Sequence, residues 1–140
     1  MLQARVIRLD EQAHEHAHDH HQLVMSLVGR AEFEVGGRGG EVCRMRACLV
    51  PGDAAHQFAG MGDNRMLILD LDEQDTPSED LELLHRLFET PRYPALDVDF
   101  QHLLTYAGAE LDSIQVGRSI SQKGSSRGKV AELFAIYRQK

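Results

Sequence analysis

From Ala4 to Leu71 apolar and polar positions alternate in short β-prone runs, each closed by glycine or a turn cluster. That is the pattern of an all-β barrel or sandwich. The spacing predicts strands at Ala4 to Leu9, Gln22 to Val28, Ala31 to Val35, Glu41 to Met45, Ala47 to Val50, His56 to Ala59 and Arg65 to Leu71. With the His-rich segment before Gln22 this makes roughly seven or eight strands. Turns are expected at Gly29, in the Gly36–Gly40 cluster, at Pro51-Gly52-Asp53 and over Gly60-Met61-Gly62-Asp63-Asn64. No helical period separates these runs, which argues against parallel βαβ units and for antiparallel closure.

Beyond Leu71 the period changes. Thr76-Pro77-Ser78 reads as a linker with Ser78 as an N-cap, and Leu81, Leu84, Leu87 and Phe88 follow at helical spacing. Thr90-Pro91-Arg92-Tyr93-Pro94 ends that helix. Phe100, Leu103, Leu104, Ala107 and Leu111 then predict a second helix from Val98 to Leu111, whose apolar stripe needs the barrel or a second subunit to cover it. Residues 117–128 read as a flexible linker, and Lys129 to Arg138 as a short third helix. The expected organisation is a β-barrel over 1–75, a helical appendage over 76–112 and a basic tail over 113–140.

Composition narrows the class. The chain has 140 residues, 42% hydrophobic and 26% charged, as a folded single domain should. No apolar stretch is long enough to span a bilayer and no export signal is evident, so a cytoplasmic protein with reduced cysteines is expected. Cys43 and Cys48 are five residues apart, face opposite ways on a regular strand, and read as buried small hydrophobes. The formal net charge is −7. Residues 113–140 carry six Lys or Arg against one Glu, leaving nine basic against 21 acidic side chains on residues 1–112. Such a balance opposes a phosphate backbone, and the tail has no recognition helix, so this chain alone is not expected to recognise DNA.

Five of the eight histidines crowd into one segment, at His14, His16, His18, His20 and His21. If that segment is extended throughout, His14, His16, His18, His20 and Gln22 share one face. A metal site needs three or four such groups converging from more than one element, and His56 is the candidate partner from elsewhere. On the cluster alone, a solvated His-rich loop that picks up metal opportunistically is the simpler reading. His85 and His102 fall within predicted helices and read as surface or packing residues. No nucleophile elbow, phosphate-cradling glycine loop or paired CxxC is present.

Spacing adds a sharper reading. His16-Ala17-His18, three residues, Gln22, six residues, Gly29 resembles the first cupin motif, H-x-H-x3-E-x6-G, with Gln in place of Glu. Pro51-Gly52-Asp53-Ala54-Ala55-His56 resembles the second, P-x-G-x2-H, with Asp53 where the glycine is expected. The resemblance implies a mainly β fold, a double-stranded β-helix or jelly-roll-like cupin barrel, followed by two or three helices. It assigns to His16, His18, Gln22 and His56 the positions that hold a divalent transition metal (Zn, Ni, Fe, Mn or Cu) in metal-binding cupins. Gln22 brings no negative charge, so two readings stand: a metal ion, or a polar barrel mouth whose imidazoles and amide hydrogen-bond a small ligand.

The order of elements, barrel then two helices, is similar to the effector-sensing and dimerisation domain of AraC-type transcription regulators over about residues 5–112. That resemblance implies a small-molecule effector and a homodimer. The family's DNA-binding part, two helix-turn-helix units, does not fit in the 28 residues after Asp112. The alternative from another class is a small metal-dependent cupin enzyme, a dioxygenase or isomerase, and a third reading is a plain dimeric module with no effector.

Overall fold

A computed structural model describes residues 3–117, with side chains to residue 110. The described residues form six strands, β1 (Gln3–Ile7), β2 (His14–His16), β3 (His21–Val35), β4 (Arg38–Val42), β5 (Cys48–Val50) and β6 (His56–Leu71), then a 3-10 turn (Glu73–Asp75) and helices α1 (Ser78–Leu87) and α2 (Val98–Gly117). Every pairing between these strands is antiparallel. The basic tail and its short helix lie outside the described residues.

Two strands organise the barrel. β3 and β6 pair along nearly their whole lengths, from His21 opposite Leu71 to Val35 opposite His56, with register shifts between Ser26 and Val28 and between Val28 and Arg30. Their first and second parts take different neighbours. Residues Gln22–Val24 of β3 pair with β5 and residues Met66–Asp70 of β6 with β1, whereas Ala31–Val35 pairs with β4 and His56–Phe58 with β2. Two four-stranded layers therefore share two bent strands. Val24, Ala31, Phe33, Val35, Val42, Val50, Met66 and Ile68, drawn from both layers, pack into one core between them.

The bends correct the expected strand count. Gly29 and the stretch Gly60 to Asn64 are not turns between separate strands; both lie inside long strands, as an irregularity and a bulged passage. A bulge bends a strand without ending its pairing, and in a sequence it looks the same as a turn. Gly36 and Gly37 do make a turn, with φ of 54° and 82°, the two left-handed residues of a tight hairpin between β3 and β4. Strand β4 accordingly begins at Arg38 and ends at Val42, short of the expected Met45, because Cys43 and Arg46 close a second tight turn by exchanging backbone hydrogen bonds of 3.0 and 3.1 Å.

The unbroken apolar run Met66–Leu69 is explained by burial on both faces. Met66 and Ile68 point into the barrel core, and Leu67 and Leu69 join Met25 and Leu104 in a second cluster under α2. Helix α2 begins at Val98 as expected, where the Asp97 carboxylate accepts from the Phe100 N–H at 2.8 Å. It continues to Gly117, beyond the expected Leu111. The barrel covers its stripe. Leu104 and Ala107 are buried, and a Cβ on Gly108 would lie 2.7 Å from the Leu27 side chain, so helix and strand touch closely there. Helix α1 starts one residue earlier than read, with Pro77 in the cap position and Ser78 already helical, and no side chain caps it. It is held to the barrel by Leu84 and Phe88 against Leu49, Leu23 and Leu71.

Cys43 and Cys48 are free thiols. Cys48 is buried in the core, and burial pushes its thiol up to about 12, which makes it the inert hydrophobe expected.

Candidate functional site

The site forms where the two motif segments meet at one end of the barrel. Strand β2 is an edge strand of only three residues, and its pairing with β6 sets His16 directly opposite His56 and His14 opposite Phe58. The chain leaves the sheet at Ala17, so the segment His14 to Gln22 is not extended throughout, and the single shared face expected for it is not formed. His18 instead reaches the site from the loop.

Three imidazoles come together. The His16 ring lies 6.0 Å from that of His56, and the His18 ring 4.7 Å from it, edge-on. His16 also stacks on Phe58 at 5.4 Å, and Phe58 in turn on Phe33 at 5.3 Å, which gives the cluster an apolar wall running down into the core. His56 is buried, with 3% of its surface exposed, whereas His18 is half-buried and His16 exposed. Burial lowers the pKa of His56, opposed by its bond to the Ala54 carbonyl and reinforced by the nearby His18 and His16 rings, so it stays neutral near pH 7. Its Nδ1–H donates to that carbonyl at 3.0 Å, which leaves Nε2 as the acceptor. His18 repeats the arrangement, with Nδ1 at 3.1 Å from the His20 carbonyl oxygen.

Gln22 is engaged elsewhere. It is buried, and its Nε2 donates to Asp70 Oδ1 at 2.8 Å, across the β3–β6 pair in which Gln22 and Asp70 are register partners. Asp70 also takes His20 Nε2 at 3.3 Å and Arg5 Nε at 3.4 Å. His20 stacks on His18 at 4.3 Å, so a continuous line of contacts runs from His56 through His18 and His20 to Asp70 and Gln22. In the sequence His20 stood out only as a member of the histidine cluster and Asp70 was not singled out; only the strand register places a carboxylate beside Gln22. A cleft of about 260 Å³ is lined by Gln3, His20, Asp70, Asp72 and Asp75.

The donor set fits a resident metal only in part. Three imidazoles are suitable ligands, but the Gln22 amide is held by Asp70, and no group of three or more His, Cys, Asp or Glu among the described residues is arranged to hold an ion. The arrangement can do something simpler: imidazole Nε2 atoms accept hydrogen bonds beside the Phe58 face.

The loop bearing the second motif explains its misplaced glycine. Asp53 stands where that motif has glycine, and its φ of 65° is the left-handed conformation that glycine adopts freely and aspartate tolerates at a cost. Gly52 is needed for a different reason, because a Cβ there would sit 2.8 Å from the Asp19 carbonyl oxygen of the opposing loop. Asp53→Gly should relieve about 1–2 kcal/mol of local strain against about 0.5–1 kcal/mol of added chain entropy, a net gain of about 0.5–1 kcal/mol. In thermal unfolding the variant should melt a few degrees higher than the native chain, and Asp53→Ala should not.

No family model matches the chain, and no curated protein matches it. Among solved structures, an apo variant of ToxT from Vibrio cholerae is similar over 97% of this chain and 54% of its own, with a TM-score of 0.62 at 10% identity. A second ToxT structure matches 75% of this chain and 46% of its own, with a TM-score of 0.54 at 9% identity. A cupin 2 conserved barrel domain protein from Leptotrichia buccalis aligns over 51% of this chain and 41% of its own, with a TM-score of 0.43 at 14% identity. This chain spans about half the length of ToxT. No helix among the described residues is long and apolar enough to cross a membrane. The likeness to ToxT is one of fold: an antiparallel β-barrel followed by helices.

Proposed function

We infer that the chain is the effector-sensing and dimerisation domain of an AraC-type transcription regulator, with its effector at the barrel mouth formed by His16, His18 and His56. The observation that carries this reading is the meeting of three imidazoles from two separate segments against the Phe58 ring. The likeness to ToxT, an AraC-type regulator, supports the regulatory half, because it extends over barrel and helices together. The chemistry favours a small, flat, uncharged effector that donates hydrogen bonds to Nε2 atoms and lays an apolar face on Phe58. Gln22 contributes by fixing Asp70 and, through it, His20. A homodimer forms through the outer faces of the helices, where Leu83, Leu87, Val98 and Tyr106 remain exposed. Leu104 takes no part in that contact because it is buried on the barrel. The protein acts in the cytoplasm, and this chain by itself does not recognise specific DNA.

The test is a titration of the full chain with a set of phenols, hydroxylated aromatics and aromatic acids, followed by the histidine ring signals in NMR spectra. A binder should shift His16, His18 and His56 together, and His56→Leu should weaken it at least about tenfold, the equivalent of one lost hydrogen bond to a buried group. Unchanged affinity in His56→Leu would remove the site. Elemental analysis of untagged protein separates the metal reading: an equimolar transition metal would transfer the three imidazoles to an ion.

A further inference from the structure

His21 stands where three parts of the fold meet. Its Nδ1 accepts the Gly52 N–H at 2.8 Å, in the loop that leads to His56. Because a backbone N–H can only donate, Nδ1 carries no proton, and Nε2–H donates to Glu73 Oε1 at 3.1 Å. The same carboxylate oxygen takes His85 Nε2 of α1 at 3.1 Å, and the His21 ring stacks on Phe88, just past the end of α1, with centroids 4.6 Å apart and planes 13° apart. Next to Gly52, the Asp53 N–H donates to the His18 carbonyl at 2.6 Å. An unbroken path thus runs from His18 through Asp53, Gly52 and His21 to Glu73, His85 and Phe88.

We propose that His21 is a rigid relay that couples occupancy of the His16–His18–His56 mouth to the position of helix α1. This rests on the reading of that mouth as the effector site. An effector that draws in His18 or His56 displaces the 51–55 loop, and with it the Gly52 N–H. The imidazole is one flat body with both nitrogens engaged, so it tilts as a unit and carries Glu73 and the Phe88 stack with it. No flexible side chain with a donor at one end and an acceptor at the other transmits a tilt in this way. Helix α1 is free to respond. Its only fully buried residue is Leu84, with Phe88 buried just beyond its end, and Leu83 and Leu87 face solvent, so it is attached more lightly than α2. The helix whose outer face carries exposed leucines is then the one that moves, which converts effector binding into a change at the proposed dimer surface.

The coupling is measurable without an effector. Glu73 is half exposed, so Glu73→Ala removes the helix end of the relay with little cost to folding. It should speed exchange of the Gly52 amide by about tenfold, as for one weakened hydrogen bond, and shift the His18 ring signals. In the reverse direction, His56→Leu should change exchange of the α1 amides. Both long-range effects should vanish in a His21→Phe background, which keeps the stack on Phe88 but has no ring nitrogens. Wild-type Gly52 and His18 signals in Glu73→Ala overturn the relay, as does equal transmission through His21→Phe. If His21→Phe fails to fold, the Glu73→Ala arm alone decides. Failure of the effector reading would appear separately, as histidine signals that no small molecule shifts while the relay still transmits.

Discussion

Gly29→Ala should abolish stable folding or lower the free energy of unfolding by about 3–5 kcal/mol, a large share of the 5–15 kcal/mol a domain of this kind has to spare. Two effects add. The φ of Gly29 is 74°, where a side chain is strained, and a Cβ would lie 2.1 Å from the Asp63 carbonyl oxygen on the neighbouring strand, much closer than any real contact. Neither partner can yield by rotating a side chain, because the obstacle is backbone. The bend in β3 would have to open, and both layers depend on that bend. Chemical denaturation of the variant beside the native chain reads the loss, and a change under 1 kcal/mol would mean that the strand path at Gly29 is not as described. Gly37→Ala is the control: it shares the positive φ but meets nothing within 4 Å, so its cost should be only the local strain of about 1–2 kcal/mol.

The second large effect is at Asn64, a fully buried polar residue on the matching bend of β6. Its Oδ1 accepts from the Leu9 N–H at 2.9 Å, and its Nδ2 donates to the carbonyls of Leu9 at 2.9 Å and Gly62 at 3.0 Å. The side chain does for this stretch what a paired strand would do, tying the chain after β1 to the bend. Asn64→Ala strands the buried Leu9 groups and should cost about 2–4 kcal/mol. Asn64→Asp is isosteric but sets an ionised carboxylate against two carbonyl oxygens, so at pH 7 it should cost at least as much. Protonation restores a donor. The introduced carboxyl therefore has a pKa above its unfolded value, and the loss should shrink as pH falls toward 4. Denaturation at pH 7 and pH 4.5 checks both sign and size, and a loss that grows on acidification would contradict this account of the hydrogen bonds.

The approach of three histidines was more legible in the sequence than the strand boundaries. His16, His18 and His56 were legible because motif spacing is local, and a tight edge pair between β2 and β6 turns that spacing into proximity. Gln22 was found by the same spacing, but its orientation was not, since Asp70 is 48 residues away and becomes its neighbour only through the β3–β6 register. His21 was hidden for a similar reason: its partners Gly52, Glu73 and Phe88 lie on three other segments. The strand boundaries failed where glycine served as a bend, at Gly29 and over Gly60 to Asn64, because composition cannot distinguish a chain that reverses from one that only curves. Helix α2 was legible through its period, and its partner became clear only when Leu67 and Leu69 proved to face outward beneath it.

The two shared strands have a mechanical meaning. Each layer borrows its centre from the same pair of chains, so neither layer can peel away while the other stays intact. Pulling on one end of β6 loads both the mouth, at His56, and the floor under the helices, at Leu69. The outer strands β1, β2, β4 and β5 are each bonded on one side only, so what joins the two layers is this central pair.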